Sequence, residues 1–170
     1  EAFCPLFVGK LQPKKRPLDF IVALGDLSRR RPAGSVHGLV VGSGELDGEA
    51  RRTAQADAVP VTFAGFLNQT EIGRAYAAAD VLVLPSDWGE TWGLVVNEAM
   101  LFGLPAIVSD RVGCGPDLVT DGETGFVVPC GRTDLLAQRA CELARDDAGR
   151  RALGERAHVR ALGYSPRRGA

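Results

Sequence analysis

The chain of 170 residues contains one methionine, two histidines, two tryptophans and two tyrosines, and aromatic residues make up only 6% of it. The two histidines, His37 and His158, sit in segments with no other reactive residue nearby, which leaves little for imidazole catalysis. Four cysteines, Cys4, Cys114, Cys130 and Cys141, form no C-x-x-C pair and no Cys/His cluster at zinc spacing, so they read as isolated reduced thiols. Charge of one sign is also missing. Twenty Lys and Arg against 21 Asp and Glu give a net charge of −1, which argues against general nucleic-acid binding because that needs a concentrated basic surface. No apolar run reaches the roughly 18–20 residues of a membrane span. The start, Glu1-Ala2-Phe3-Cys4, lacks the basic region and apolar stretch of a signal peptide, and the expected location is the cytoplasm. Internal repeats, low-complexity linkers and D-x-D motifs are absent as well.

What is present is a globular composition, 45% hydrophobic and 24% charged. Short runs rich in valine and leucine alternate with longer stretches of helical spacing, the βαβ pattern. Candidate strands are Phe3–Val8, Val36–Val41, Val59–Ala64, Val81–Leu84, Ala106–Ser109 and Gly125–Val128. Most are apolar throughout, as strands buried on both faces are, so the expected fold is α/β: a Rossmann-like, doubly wound parallel sheet of about six strands. A helix is expected to begin at Pro17 and end in Arg29-Arg30-Arg31, one capped by Thr70 to run through Ala79, and one over Leu94–Phe102 before Gly103. From Asp134 to Leu162 the pattern predicts two helices broken near Asp146–Gly149. Both ends read as cut, the first strand starting near residue 3 and the last residues, Tyr164 to Ala170, stopping at a turn.

In doubly wound sheets ligands bind beyond the carboxyl ends of the strands, so the loops after those ends carry the candidate chemistry. Gly9-Lys10-Leu11-Gln12-Pro13-Lys14-Lys15-Arg16 joins a glycine to as many as four cations, a composition suited to a diphosphate or simply to a solvated loop. Gly42-Ser43-Gly44-Glu45-Leu46-Asp47-Gly48 resembles a dinucleotide fingerprint, yet Asp47 stands where the third glycine belongs, and the segment reads as turn glycines. The segment from Pro85 to Met100 places Glu90 and Glu98 eight positions apart around Gly93, which opens a helix. A helix N-terminus attracts phosphate, and carboxylates on either side of it would accept hydrogen bonds from the hydroxyls of a nucleotide sugar. Taken alone, Glu98 reads as an exposed helical residue and Glu90 as a loop charge. The fourth loop, Asp110 to Asp117, reads as a glycine-rich turn.

With these residues the chain resembles the C-terminal domain of the GT-B glycosyltransferases of family 4, also called group 1. "VGKLQPKKRP" is similar to the family's V-G-R-L-x-x-x-K-G segment and "FAGF" to its F-x-G turn. "PSDWGETWGLVVNEAMLFGLPAIVSD" resembles the block that holds its Glu-x7-Glu hallmark, and "LVTDGETGFVV" its V-x-D-G-x-x-G segment. The matches run in family order from about residue 7 to 129. The resemblance implies that Lys10 and Lys15, on the loop opened by Gly9, contact the donor diphosphate, and that Glu90 contacts the transferred sugar; these three would be catalytic. It further implies that Glu98 accepts from both ribose hydroxyls, that backbone N–H groups around Trp92, Gly93 and Leu94 hold phosphate or sugar oxygens, and that Phe66 and Leu67 line the base. Two departures stand out: Lys10 replaces the usual arginine, losing its planar fork, and Arg16-Pro17 replaces the glycine after the second lysine.

The implied activity is transfer of a sugar from a nucleoside-diphosphate sugar to an acceptor, glycan, lipid or small molecule, with retention of configuration and with no metal or other cofactor. The expected partner besides the nucleotide sugar is an N-terminal domain holding the acceptor, through which any peripheral membrane contact would be made. Residues 1–170 would then be a single nucleotide-sugar-binding domain, a fragment inactive alone. Alternatives are a non-catalytic nucleotide-sugar binding domain and an epimerase-type enzyme of related fold.

Overall fold

The computed structural model describes residues 1–87 and 93–164. Its elements in chain order are β1 (Pro5–Val8), a single 3-10 turn over Pro13–Lys15, α1 (Pro17–Arg30), β2 (Gly38–Val41), α2 (Asp47–Ala56), β3 (Val61–Gly65), α3 (Ile72–Ala78), β4 (Val81–Leu84), α4 (Leu94–Leu101), β5 (Ala106–Ser109), α5 (Gly115–Leu118), β6 (Gly125–Val128), α6 (Thr133–Arg145) and α7 (Asp147–Leu162). The strands make one sheet in the order β3-β2-β1-β4-β5-β6, with every neighbouring pair parallel. This is the α/β, Rossmann-like sheet that the apolar runs predict.

β1, β4 and β5 are buried along their whole length, so successive side chains feed two separate cores. Phe7 joins Phe20, Ile21, Leu24, Val83 and Leu136 on the face covered by α1, α2 and α6. Leu6 and Val8 join Leu82, Leu84, Val96, Met100 and Ala157 on the face covered by α3, α4, α5 and α7. Because all strands point the same way, every loop that follows a strand emerges along one edge of the sheet. The chain reverses its winding between β1 and β4, and this neighbouring pair marks the crevice where such sheets bind ligands.

Several boundaries differ from those read in the sequence, each for a local reason. The first strand starts at Pro5, since the Cys4 N–H donates to Asp80 Oδ2 at 2.8 Å instead of joining the ladder. Phe3 and Val36 still meet, but as an isolated bridge ahead of β1 and β2. β3 starts at Val61 because the Val59 N–H turns back to the Ala54 carbonyl at the end of α2. Thr70 does not cap α3. Asn68 Oδ1 accepts from the Thr70 and Glu71 N–H groups and from the Thr70 hydroxyl, and the helix begins only at Ile72. α4 ends at Leu101, with Phe102 closing it. Asp146 starts α7 by accepting from Gly149 N at 2.9 Å, at the break expected there.

Two helices lie outside those expected from the sequence. α2 buries only Ala50 and Ala54, one helical turn apart, so its buried face carries no large apolar side chain. α5 is a four-residue turn around Pro116 within the loop after β5.

Candidate functional site

The loop after β1 is held by Leu11, which is fully buried, while Lys10 is exposed and Lys15 half-buried. The glycine-containing loop after β2 clamps it from the side: Leu11 N donates to Ser43 O at 3.0 Å, and Leu46 N donates to Leu11 O at 2.8 Å. A Cβ on Gly44 would lie 2.6 Å from the Leu11 carbonyl oxygen. Gly44 is therefore no simple turn glycine; it lets two backbones touch and sets the height of the lysine loop. After the 3-10 turn, Arg16 adopts a left-handed conformation with φ 51°, which accounts for the glycine that the resembled segment carries there.

Across the crevice, the Asp87 N–H donates to the Lys14 carbonyl at 2.7 Å, tying the segment after β4 to the lysine loop. Asp87 Oδ1 accepts from Arg111 Nη1 at 2.6 Å, and Oδ2 lies 3.5 Å from Arg16 Nη1. Arg16 Nε also donates to Asp19 at 2.6 Å. Neither Asp87 nor Arg111 stood out in the sequence as a site residue, because their pairing joins the ends of two strands. Beside them, Cys130 Sγ lies 3.8 Å from the Ser86 carbonyl, and burial is the main cause that raises its thiol.

Gly93 opens α4 with φ 82°, and a Cβ there would press within about 3.4 Å of Val112, Leu84 and the Cys114 sulfur. The first turn of α4 starts in this way from the loop after β4, with Leu94 63% exposed at its tip and the positive end of the helix along the binding edge. Glu98 lies one turn further, about 6 Å along the axis at 1.5 Å per residue. It is half-buried and accepts from the Tyr76 hydroxyl at 2.8 Å through Oε2. In the sequence Tyr76 falls inside the helix expected through Ala79. The signal available in sequence was a tyrosine on the apolar side of α3, whose hydroxyl needs a partner when buried.

The expected site residues thus divide. Gly9, Lys10 and Lys15 on one side and Gly93, Leu94 and Glu98 on the other flank the β1/β4 crevice. Phe66 and Leu67 follow β3, two strands away on the same edge; Phe66 is 76% exposed, while Leu67 packs on the core beneath α4. Glu90 and Trp92 lie outside the described residues.

A positive loop, a helix start and a hydroxyl-binding carboxylate around the switch point of a parallel sheet suit a phosphorylated ligand bearing a sugar. The family model of the glycosyl transferases group 1 matches residues 3–160. The chain belongs to this family. It is 34% identical over 166 residues to the D-inositol 3-phosphate glycosyltransferase of Rhodococcus opacus, covering 94% of this chain and 37% of that protein. Among solved structures, the C-terminal domain of the glycosyl transferase group 1 protein LpcC from Francisella tularensis superposes with a TM-score of 0.87 at 21% identity, over 96% of this chain and 87% of that one, a likeness of fold. Anabaena HepE in complex with UDP-glucose gives a TM-score of 0.84 at 27% identity, over 95% of this chain and 44% of that one. The chain thus spans well under half the length of its Rhodococcus relative.

Proposed function

We propose that this group 1 glycosyltransferase chain is the donor-binding part of a retaining enzyme that transfers a sugar from a nucleoside-diphosphate sugar to an acceptor. The observation that carries the reading is the Asp87–Lys14 backbone bond, which locks the lysine loop against the segment leading into α4 at the β1/β4 crevice. Lys10, Lys15 and the α4 N-terminus then act on the diphosphate, whose negative charge grows as the glycosidic bond breaks, so the same contacts strengthen in the transition state. Glu98 takes the ribose hydroxyls, Phe66 and Leu67 border the base, and Glu90 orients the transferred sugar. The complex of HepE with UDP-glucose, at 27% identity, supports a nucleotide sugar as the ligand class.

Calorimetry with UDP-glucose, GDP-mannose and ADP-glucose tests this. One of the three should bind, and Glu98→Ala should weaken both the nucleotide sugar and its free nucleoside diphosphate by roughly tenfold or more, the worth of a hydrogen bond to a charged group. Glu90→Ala should matter mainly with the sugar attached. Failure of all three donors to bind, or equal losses for the two variants on the free nucleotide, would overturn the assignment.

A further inference from the structure

The mechanism above uses the Glu98 carboxylate but leaves open what holds it. A glutamate side chain has three rotatable bonds, and a half-exposed one near a helix start is free to turn toward water. Here it is not free. Tyr76, 1% exposed, donates its hydroxyl to Glu98 Oε2 at 2.8 Å from the neighbouring helix α3. The phenol is itself fixed, because its ring stacks on Phe102 at 5.3 Å between centroids with planes 28° apart. Phe102 closes the same helix that carries Glu98, so the ring that holds the carboxylate is itself seated on the C-terminal end of α4.

We propose that Tyr76 is a positioning residue for ribose recognition. By occupying one lone pair of Oε2 it leaves Oε1 and the second pair of Oε2 as the acceptors for two adjacent hydroxyls, so the carboxylate is oriented before the nucleotide arrives. Burial first, and then the bond to Glu98, hold the phenol well above its ordinary value, which keeps it a donor throughout the working range of pH. α3 begins at Ile72, after the short connection 68–71, so the segment that borders the base leads into the helix that sets the group reading the ribose. This inference rests on the reading of Glu98 as the ribose acceptor.

The experiment compares binding of UDP, GDP and ADP with their 2′-deoxy counterparts. For the nucleotide that binds most tightly, the unaltered protein should prefer the ribose form by roughly tenfold or more. Tyr76→Phe should shrink that preference to within about threefold while the ligand-free melting temperature moves little, since the Phe keeps the ring and the half-exposed Glu98 can take water. Glu98→Gln should remove the preference as well, and Tyr76→Phe should add nothing in that background, the signature of two residues acting as one unit. A preference that survives Tyr76→Phe, or an equal loss for ribose and deoxyribose forms, overturns the role of Tyr76. If the preference survives Glu98→Gln, or if no nucleotide binds, the reading of Glu98 fails, and this inference with it. Should Tyr76→Phe fold poorly, Phe102→Ala, which loosens the stack and leaves the hydroxyl in place, is read in the same way: the preference narrows, and an unchanged preference overturns the proposal.

Discussion

Lys15 and Lys10 share a loop but not an environment. The Lys15 stem passes over Gly9, within about 4 Å of where a Cβ would sit, whereas Lys10 is exposed. A tethered cation pays less entropy on meeting a phosphate than a free one. Lys15→Ala is therefore expected to cost more affinity for a nucleoside diphosphate than for the bare nucleoside, and more than Lys10→Ala, with the gap narrowing at high salt. Titrations at two salt concentrations check this, and equal losses for nucleoside and nucleotide would indicate a packing role. Cys4, at the opposite edge of the sheet, offers a separate test. Burial, and then the Asp80 charge, push its thiol up to about 11 from an ordinary 9.0. A folded value above the unfolded one means a contribution fully present below the unfolded value and lost as pH rises through the folded one, the window from 9.0 to about 11. The melting temperature should drop across that window more steeply with Cys4 than in a Cys4→Ala variant.

At the scale of elements, two glycines bear on the site through their surroundings. Gly93→Ala combines a left-handed backbone with contact against Leu84 and Val112, and should destabilise the fold by about 1–2 kcal/mol. Nucleotide affinity should fall further, as the start of α4 shifts. Gly44→Ala meets the Leu11 backbone, which has no flexible end to give way, so it should destabilise the fold and also weaken diphosphate binding through a displaced lysine loop. Chemical denaturation and nucleotide titration separate the two, and a Gly44→Ala variant with unchanged diphosphate affinity would show that the clamp does not set the loop. The central strands were legible in sequence because parallel strands buried on both faces must be apolar throughout. α2 was not, since a helix that buries only two alanines and packs beside α1 presents no stripe of large apolar residues. Thr70 caps nothing because its hydroxyl is turned back to donate to Asn68 Oδ1, which also accepts from the Thr70 and Glu71 N–H groups, and the helix starts only at Ile72.

For the whole molecule, the crevice lies along one open edge of a single sheet, and under the proposed function an acceptor must be held opposite it for transfer to follow. The 170-residue chain alone is therefore expected to bind a donor and release no nucleotide at enzymatic rates when candidate acceptors are added. Turnover near 1–10 per second, an ordinary enzymatic rate on the order of the median, would show that these residues suffice.

The order of apolar runs was enough to indicate a parallel α/β sheet, because burial is written residue by residue along the chain, and the lysine loop and the glutamates eight apart carried the resemblance to the group 1 glycosyltransferases. The bond from Tyr76 to Glu98, the Asp87 tie to Lys14 and the pairing of Asp87 with Arg16 and Arg111 were decided only by the tertiary structure. Each joins segments brought together by strand order, and a hydrogen bond between distant side chains leaves no periodicity in the sequence that could announce it.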